Sequence, residues 1–157
     1  MGIAVRGITF EIPNRYGKQL WDILKDIDLS RWDWQIGSGE SYIVENDSLT
    51  TDLFGTMISL SGKELVKRIS EYDYYLIFVD LKAFTNLEFG MKVETYDDFL
   101  KSNCQFVLLV IDSTYVTIYS KDKALIHTLH TQTIAAKYEN VEYSTDENDD
   151  RTTLVAF

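Results

Sequence analysis

The chain has 157 residues, 45% hydrophobic and 25% charged, with one proline and eight glycines. This balance excludes a disordered chain or a Pro- and Gly-rich linker, and it predicts one α+β domain over 1–157 with a sizeable core. The 25 acids against 15 bases give a formal charge of −10, which argues against general nucleic-acid binding, where Lys and Arg neutralise phosphates; no apolar run approaches the roughly 18 residues of a membrane-spanning helix.

In chain order, "MGIAVRGITFEIPN" lacks the apolar core of a signal peptide, and Arg6 stands where N-myristoylation would want Ser or Thr. A cytoplasmic protein with no membrane contact is therefore expected. "IAVRGITFEI" reads as a first strand stopped by Pro13, which has no N–H for a ladder. Asn14 is placed to cap a helix carrying Tyr16, Leu20, Ile23, Leu24 and Ile27 at helical spacing. In "SRWDWQIGSGESYIVEND", Trp32, Trp34 and Ile36 alternate with polar residues, as do Tyr42 and Val44 with their neighbours. The glycines of "GSGE" between them predict a hairpin.

"LSGKELVKRI" opens a helix with a Ser61/Glu64 capping box and a Leu60/Leu65 staple. "YYLIFVDLKAF" and "CQFVLLVID" are near-continuous apolar runs, the pattern of interior strands. Between them "TYDDFLKSN" predicts a short helix capped by Thr95 and Asp98. "DST" suits a tight turn into the alternating "STYVTIYS". A helix over about 122–138 follows, with Leu125, Leu129 and Ala136 on one side. "VEYST" and "TTLVAF" read as two closing strands. Repeated hairpins predict a mixed or mostly antiparallel sheet with about four helices packed on it.

The acidic stretch "YSTDENDDRTT" is the most reagent-like part of the chain. Asp146, Asn148 and Asp150 match the first half of a calcium loop. However, Arg151 stands where the turn needs Gly, and Phe157 where a bidentate Glu should close the site. A solvated loop between strands, with no metal and no cofactor, is the expectation. His127-x-x-His130 puts two histidines on neighbouring helix positions without a third ligand. No nucleophile elbow, P-loop or dinucleotide fingerprint is present. Cys104, the one cysteine, sits in an apolar run and reads as a small buried hydrophobe. Asp80, a carboxylate within an apolar strand, must be paired or neutralised, as a salt-bridged structural residue or as part of a site.

"GITFEIPNRYG", "DWQIGSGESY", "DYYLIFVDL", "YDDFL", "VLLVIDSTYVTIYSKDK" and "TDENDDRTTL" together resemble an uncharacterised family from Bacillus-type Firmicutes, a domain of unknown function of the 2691 type. The resemblance runs from Gly7 to Leu154. It implies a bacterial, cytoplasmic, stand-alone domain, and it implies no activity, cofactor or catalytic residue.

Three functions compete. A small acidic, non-catalytic module of immunity, antidote, anti-defence or regulatory type, which occupies a protein partner, ranks first. Its contact candidates are Trp32, Trp34 and Tyr42, because aromatic residues dominate binding hot spots, together with Asp146, Glu147, Asp149 and Asp150. For the tryptophans, packing on the core is the reading set against that role. Behind it stand a hydrolase using Asp80, Asp112 and Asp146, and a small-ligand sensor with a Trp- and Tyr-lined pocket.

Overall fold

The long apolar runs dictate the centre of the architecture, because their edges would be costly to leave unpaired. The structure is a computed structural model that describes residues 4–87 and 92–156. Its first half comprises β1 (Val5–Glu11), α1 (Gln19–Leu24), a 3-10 turn (Leu29–Arg31), β2 (Asp33–Ile36), β3 (Glu40–Glu45), β4 (Ser48–Asp52) and β5 (Ser59–Ser61). There follow α2 (Gly62–Glu71), β6 (Tyr74–Phe84), α3 (Tyr96–Lys101), β7 (Cys104–Ile111), β8 (Tyr115–Ser120), α4 (Lys123–Ala135) and β9 (Glu139–Thr145). Met1, Gly2 and Ile3, and with them the rejected myristoylation position, lie outside the described residues.

Among the described residues, nine strands form one open antiparallel sheet in the order β4-β3-β6-β7-β8-β1-β9, with β2 also beside β6 and β5 outside β2. Four helices complete the α+β fold. Both apolar runs, β6 and β7, are interior strands, as their composition requires. None of the helices is long and apolar enough to cross a membrane.

The expected hairpin between β2 and β3 does not form. Both strands pair with β6, Asp33 opposite Phe84 through to Ile43 opposite Tyr74, as one line broken at 37–39. Gly37 donates its N–H to the Asp80 carbonyl at 2.9 Å. A Cβ on Gly37 would lie 2.5 Å from the Asp80 Cγ, and one on Gly39 would lie 2.6 Å from the Phe78 carbonyl. These glycines therefore serve close approach to β6, not a reversal. The chain does reverse at Asp112 and Ser113, both left-handed at φ 52° and 64°, the mirror-image turn that suits strand twist.

Two further elements differ from expectation. Asn14 caps no helix; its Oδ1 accepts from the Tyr75 hydroxyl, and Gly17 exchanges backbone bonds with Tyr74. Residues 14–16 form a bend leading to that bridge, so α1 starts only at Gln19. Residues 152–156 of the expected strand "TTLVAF" form no strand. Leu154 and Ala156 are buried, and Leu154 donates its N–H to the Glu94 carbonyl. Its period-two pattern comes from docking on a sheet face rather than from ladder pairing.

The sheet has two unequal covers. Helices α1, α2 and α4 bury one face, where Leu20, Leu24, Leu65, Ile69, Ile126 and Leu129 join the strands' apolar residues in the main core. On α4 the buried line is Ile126, Leu129 and Thr133; of the expected line Leu129 is buried, Leu125 half-buried and Ala136 exposed. The opposite face holds a smaller core of Phe84, Phe99, Cys104, Val107, Leu109, Tyr119 and Leu154 beneath α3 and the C-terminal segment.

Candidate functional site

Part of that second face stays open. Strand register lines up Leu109, Thr117, Thr9 and Glu142 in one row across β7, β8, β1 and β9, with Tyr119, Gly7 and Ser144 in the next. Alternation places these rows on the side away from α4. Beyond β9 the chain turns back over them, held first by the Asp146 N–H on the Ala4 carbonyl. Between the sheet and the returning segment lies a cleft of about 500 Å³, with Thr9, Thr117 and Ser144 on its floor and Glu142, Asp150 and Arg151 on its rim.

The acidic segment beside this cleft is pinned rather than freely solvated. Arg6 Nε donates to Asp146 Oδ1 at 2.8 Å and Arg6 Nη1 to Asp149 Oδ2 at 3.3 Å. The guanidinium lies 4.0 Å over the Tyr96 ring, and the Tyr119 hydroxyl donates to the same Asp149 oxygen at 2.8 Å. Burial lowers the Arg6 pKa, but the bonds to Asp146 and Asp149 outweigh it and leave the value raised. Burial first, then the bond to Asp149, pushes the Tyr119 pKa up, so the phenol remains a donor. Asn148 closes the turn: its Oδ1 accepts from the Thr145 N–H at 2.8 Å and its Nδ2 donates to the Tyr143 carbonyl at 2.9 Å. Glu147 and Asp150 are left exposed, with no bonded partner among the described residues.

A family model described as "Protein of unknown function (DUF2691)" matches residues 5–155, nearly the whole chain. The chain belongs to the DUF2691 family. Similar to it is the "Uncharacterized protein YncE" of Bacillus subtilis (strain 168), 41% identical over 150 residues that cover 95% of this chain and 97% of that protein. No solved structure matches. The fragments that suggested an uncharacterised Bacillus-type family therefore identified it.

In this DUF2691 chain two of the three calcium-loop side chains have protein donors, Asp146 from Arg6 and Asn148 from a backbone amide, while Asp150 is exposed and unpaired among the described residues. Phe157, the would-be closing position, lies outside the described residues. Among those described, no three His, Cys, Asp or Glu side chains are grouped to hold a metal. The two histidines instead clasp Tyr143: His127 Nδ1 lies 2.9 Å from its hydroxyl, and the His130 ring stacks on it at 4.0 Å.

The aromatic contact candidates need correction. Trp34 is fully buried and Trp32 is 8% exposed; both rings pack on Phe106, and the Trp34 indole N–H donates to the Leu29 carbonyl. They are core. The physical reason is that Trp32 and Trp34 point to the helix-covered face, where both join the main core. Tyr42 is half-buried, with its hydroxyl on Glu40 Oε2, and β3 lies across β6 from the cleft.

Asp80 is a paired structural charge. Lys82, two residues along β6 and so on the same side, donates to its Oδ1 at 2.6 Å, with both side chains at most 4% exposed. Burial raises the Asp80 pKa; Lys82 and the Ala156 N–H oppose that rise. Asp112 sits exposed in the β7–β8 turn. Asp80, Asp112 and Asp146 thus occupy three separate places.

Cys104 is buried, and desolvation pushes its thiol up to about 11. The thiolate is the reactive form, so Ellman's reagent at pH 8 should leave native Cys104 untouched and label it fully in denaturant. Prompt labelling of the folded protein would contradict this burial.

Sequence reasoning missed Arg6, Tyr119, Thr117 and Ser144. For Arg6 a local signal existed: a cation interrupting the apolar alternation of the first strand.

Proposed function

We propose that this protein is a non-catalytic binding module of the bacterial cytoplasm that acts by occupying a protein partner, in the manner of an immunity, antidote, anti-defence or regulatory protein. The observation that carries this reading is the acidic lip: Arg6 fixes the turn, and the turn holds Glu147 and Asp150 exposed and unpaired beside the cleft. Fixed charge of one sign on an acidic protein accelerates encounter with a basic surface. A carboxylate hydrolase gains less support, since its three acids stand apart. An aromatic-pocket sensor also gains less, because the tryptophans fill the core and the cleft lining is polar.

The test uses the immobilised protein and whatever partner it retains from the source bacterium, followed by association kinetics at several salt concentrations. Glu147→Gln with Asp150→Asn should slow association roughly threefold or more at low salt, reduce its salt dependence and leave the dissociation rate unchanged. Asp146 and Asp149 are unsuitable for this purpose, because neutralising them releases Arg6. Association of the double variant at the parental rate would refute the proposal, as would a substrate turnover that carboxylate substitution abolishes.

A further inference from the structure

Resting on the binding-module reading, we infer that the cleft seats a lysine or arginine side chain presented on an extended segment of the partner. The floor carries the first argument. Thr117 is 8% exposed and Ser144 is 4% exposed, both line the cleft, and neither hydroxyl has a hydrogen-bond partner among the described residues. Neither hydroxyl is sealed from water: both open onto the cleft, where a polar ligand group can replace solvent on them. Thr9, half-buried opposite Thr117 and Glu142, adds a third hydroxyl unbonded among the described residues.

The rim sets the sign. Glu142 and Asp150 are exposed and have no partner among the described residues, while Asp149 already accepts from Arg6, Tyr119 and the Arg151 N–H. Arg151, the cation among the lining residues, extends its Nη1 toward the Val155 carbonyl. With Asp149 paired to Arg6, Glu142 and Asp150 still outnumber Arg151, which disfavours a phosphate or a carboxylate ligand. Ionised carboxylates only accept, and hydroxyls both accept and donate, so the group that satisfies them is rich in donors. An ammonium offers three N–H donors and a guanidinium five, with no acceptor on either.

The route of entry follows from Asn148. Strand β9 is an outer edge of the sheet, where a peptide would ordinarily add as another strand. Here the Asn148 amide already takes the Tyr143 carbonyl and the Thr145 N–H, as an added strand would do. Edge addition is closed at 143–145, so the ligand approaches over the face and inserts a side chain. About 500 Å³ leaves room for that side chain and for the backbone on either side of it.

The probes are blocked pentapeptides with one central Lys or Arg, their norleucine and citrulline counterparts, and free spermidine. Each is titrated into the full chain by calorimetry, with amide shifts to locate the site. The cationic peptides should bind at residues 142–144 and 117, and the uncharged counterparts roughly tenfold or more weakly, the value of a hydrogen bond to a charged group. Thr117→Val and Ser144→Ala should each weaken the Lys peptide by a similar factor; Glu142→Gln, on the exposed rim, serves where a floor variant unfolds. Equal binding of the norleucine peptide would overturn the inference. So would spermidine filling the cleft while the peptides do not, or cleft variants that bind as the parent does. If cleft variants keep the partner with its salt dependence intact, this inference falls and the binding-module reading stands. If the lip variant associates at the parental rate while the Lys peptide still binds, the reverse holds.

Discussion

Lys82→Met alone is expected to lower the unfolding free energy at pH 7 by about 3–5 kcal/mol, the usual cost of stripping one partner from a buried ion pair. Asp80 would be left 4% exposed with only the Ala156 N–H beside it. Burial already raises the Asp80 pKa against the pull of Lys82, and removing the cation raises it further. A carboxyl whose folded pKa is raised favours the folded state below its unfolded value, near 4, and loses that contribution as pH climbs through the folded value. The Lys82→Met variant should therefore be comparatively stable in acid and weaken toward neutrality. Adding Asp80→Leu should recover most of the loss and flatten the pH profile, because a well-packed apolar pair replaces a buried ion pair at little cost. Urea unfolding from pH 4 to pH 8 reads both effects. A single variant as stable as the parent at pH 7 would mean that the pair is not closed to water as described.

Trp34→Ala should cost about 3–5 kcal/mol, the range for deleting a large aromatic from a packed interior. The ring is fully buried, packs edge-on against Trp32 and Phe106, and satisfies the Leu29 carbonyl. Trp32→Ala should cost less: that ring keeps 8% exposure, and Arg31 stacks over it at 4.1 Å. Loss of near-ultraviolet dichroism in step with a lower urea midpoint would confirm the assignment. A folded Trp34→Ala protein of parental stability would refute it. Binding defects in either tryptophan variant report on folding first.

How much of this was legible in the sequence depends on how far each decisive contact reaches. The caps are bonds across three residues: at Thr95 the full box with Asp98 forms, while at Ser61 only the Glu64 N–H reaches the Ser61 hydroxyl, which itself donates to the Glu64 carboxylate. The apolar runs of β6 and β7 announced interior strands, because composition alone forbids an exposed edge. The β2–β3 hairpin was misread because "GSG" has the composition of a turn, whereas its glycines answer to Asp80 and Phe78 on another strand. The acidic segment was misread for the same reason at greater range: Arg6 lies 140 residues away from Asp146. The Lys82 partner of Asp80 was within reach, since two residues along a strand is the same face. The hydroxyls of the cleft floor gave no signal, since Thr and Ser in a strand look alike whether they face water, core or ligand.

The placement of β1 has a bearing on biosynthesis. This strand, the earliest translated of those described, is wedged between β8 and β9, which are made more than a hundred residues later. Its hydrogen bonds cannot form while the chain is still emerging from the ribosome, and so distant a pairing slows the search for the native state. Until the last strand is released, Ile8 and Phe10 have no sheet to join. The nascent chain then depends on chaperones or on speed to keep them from strangers.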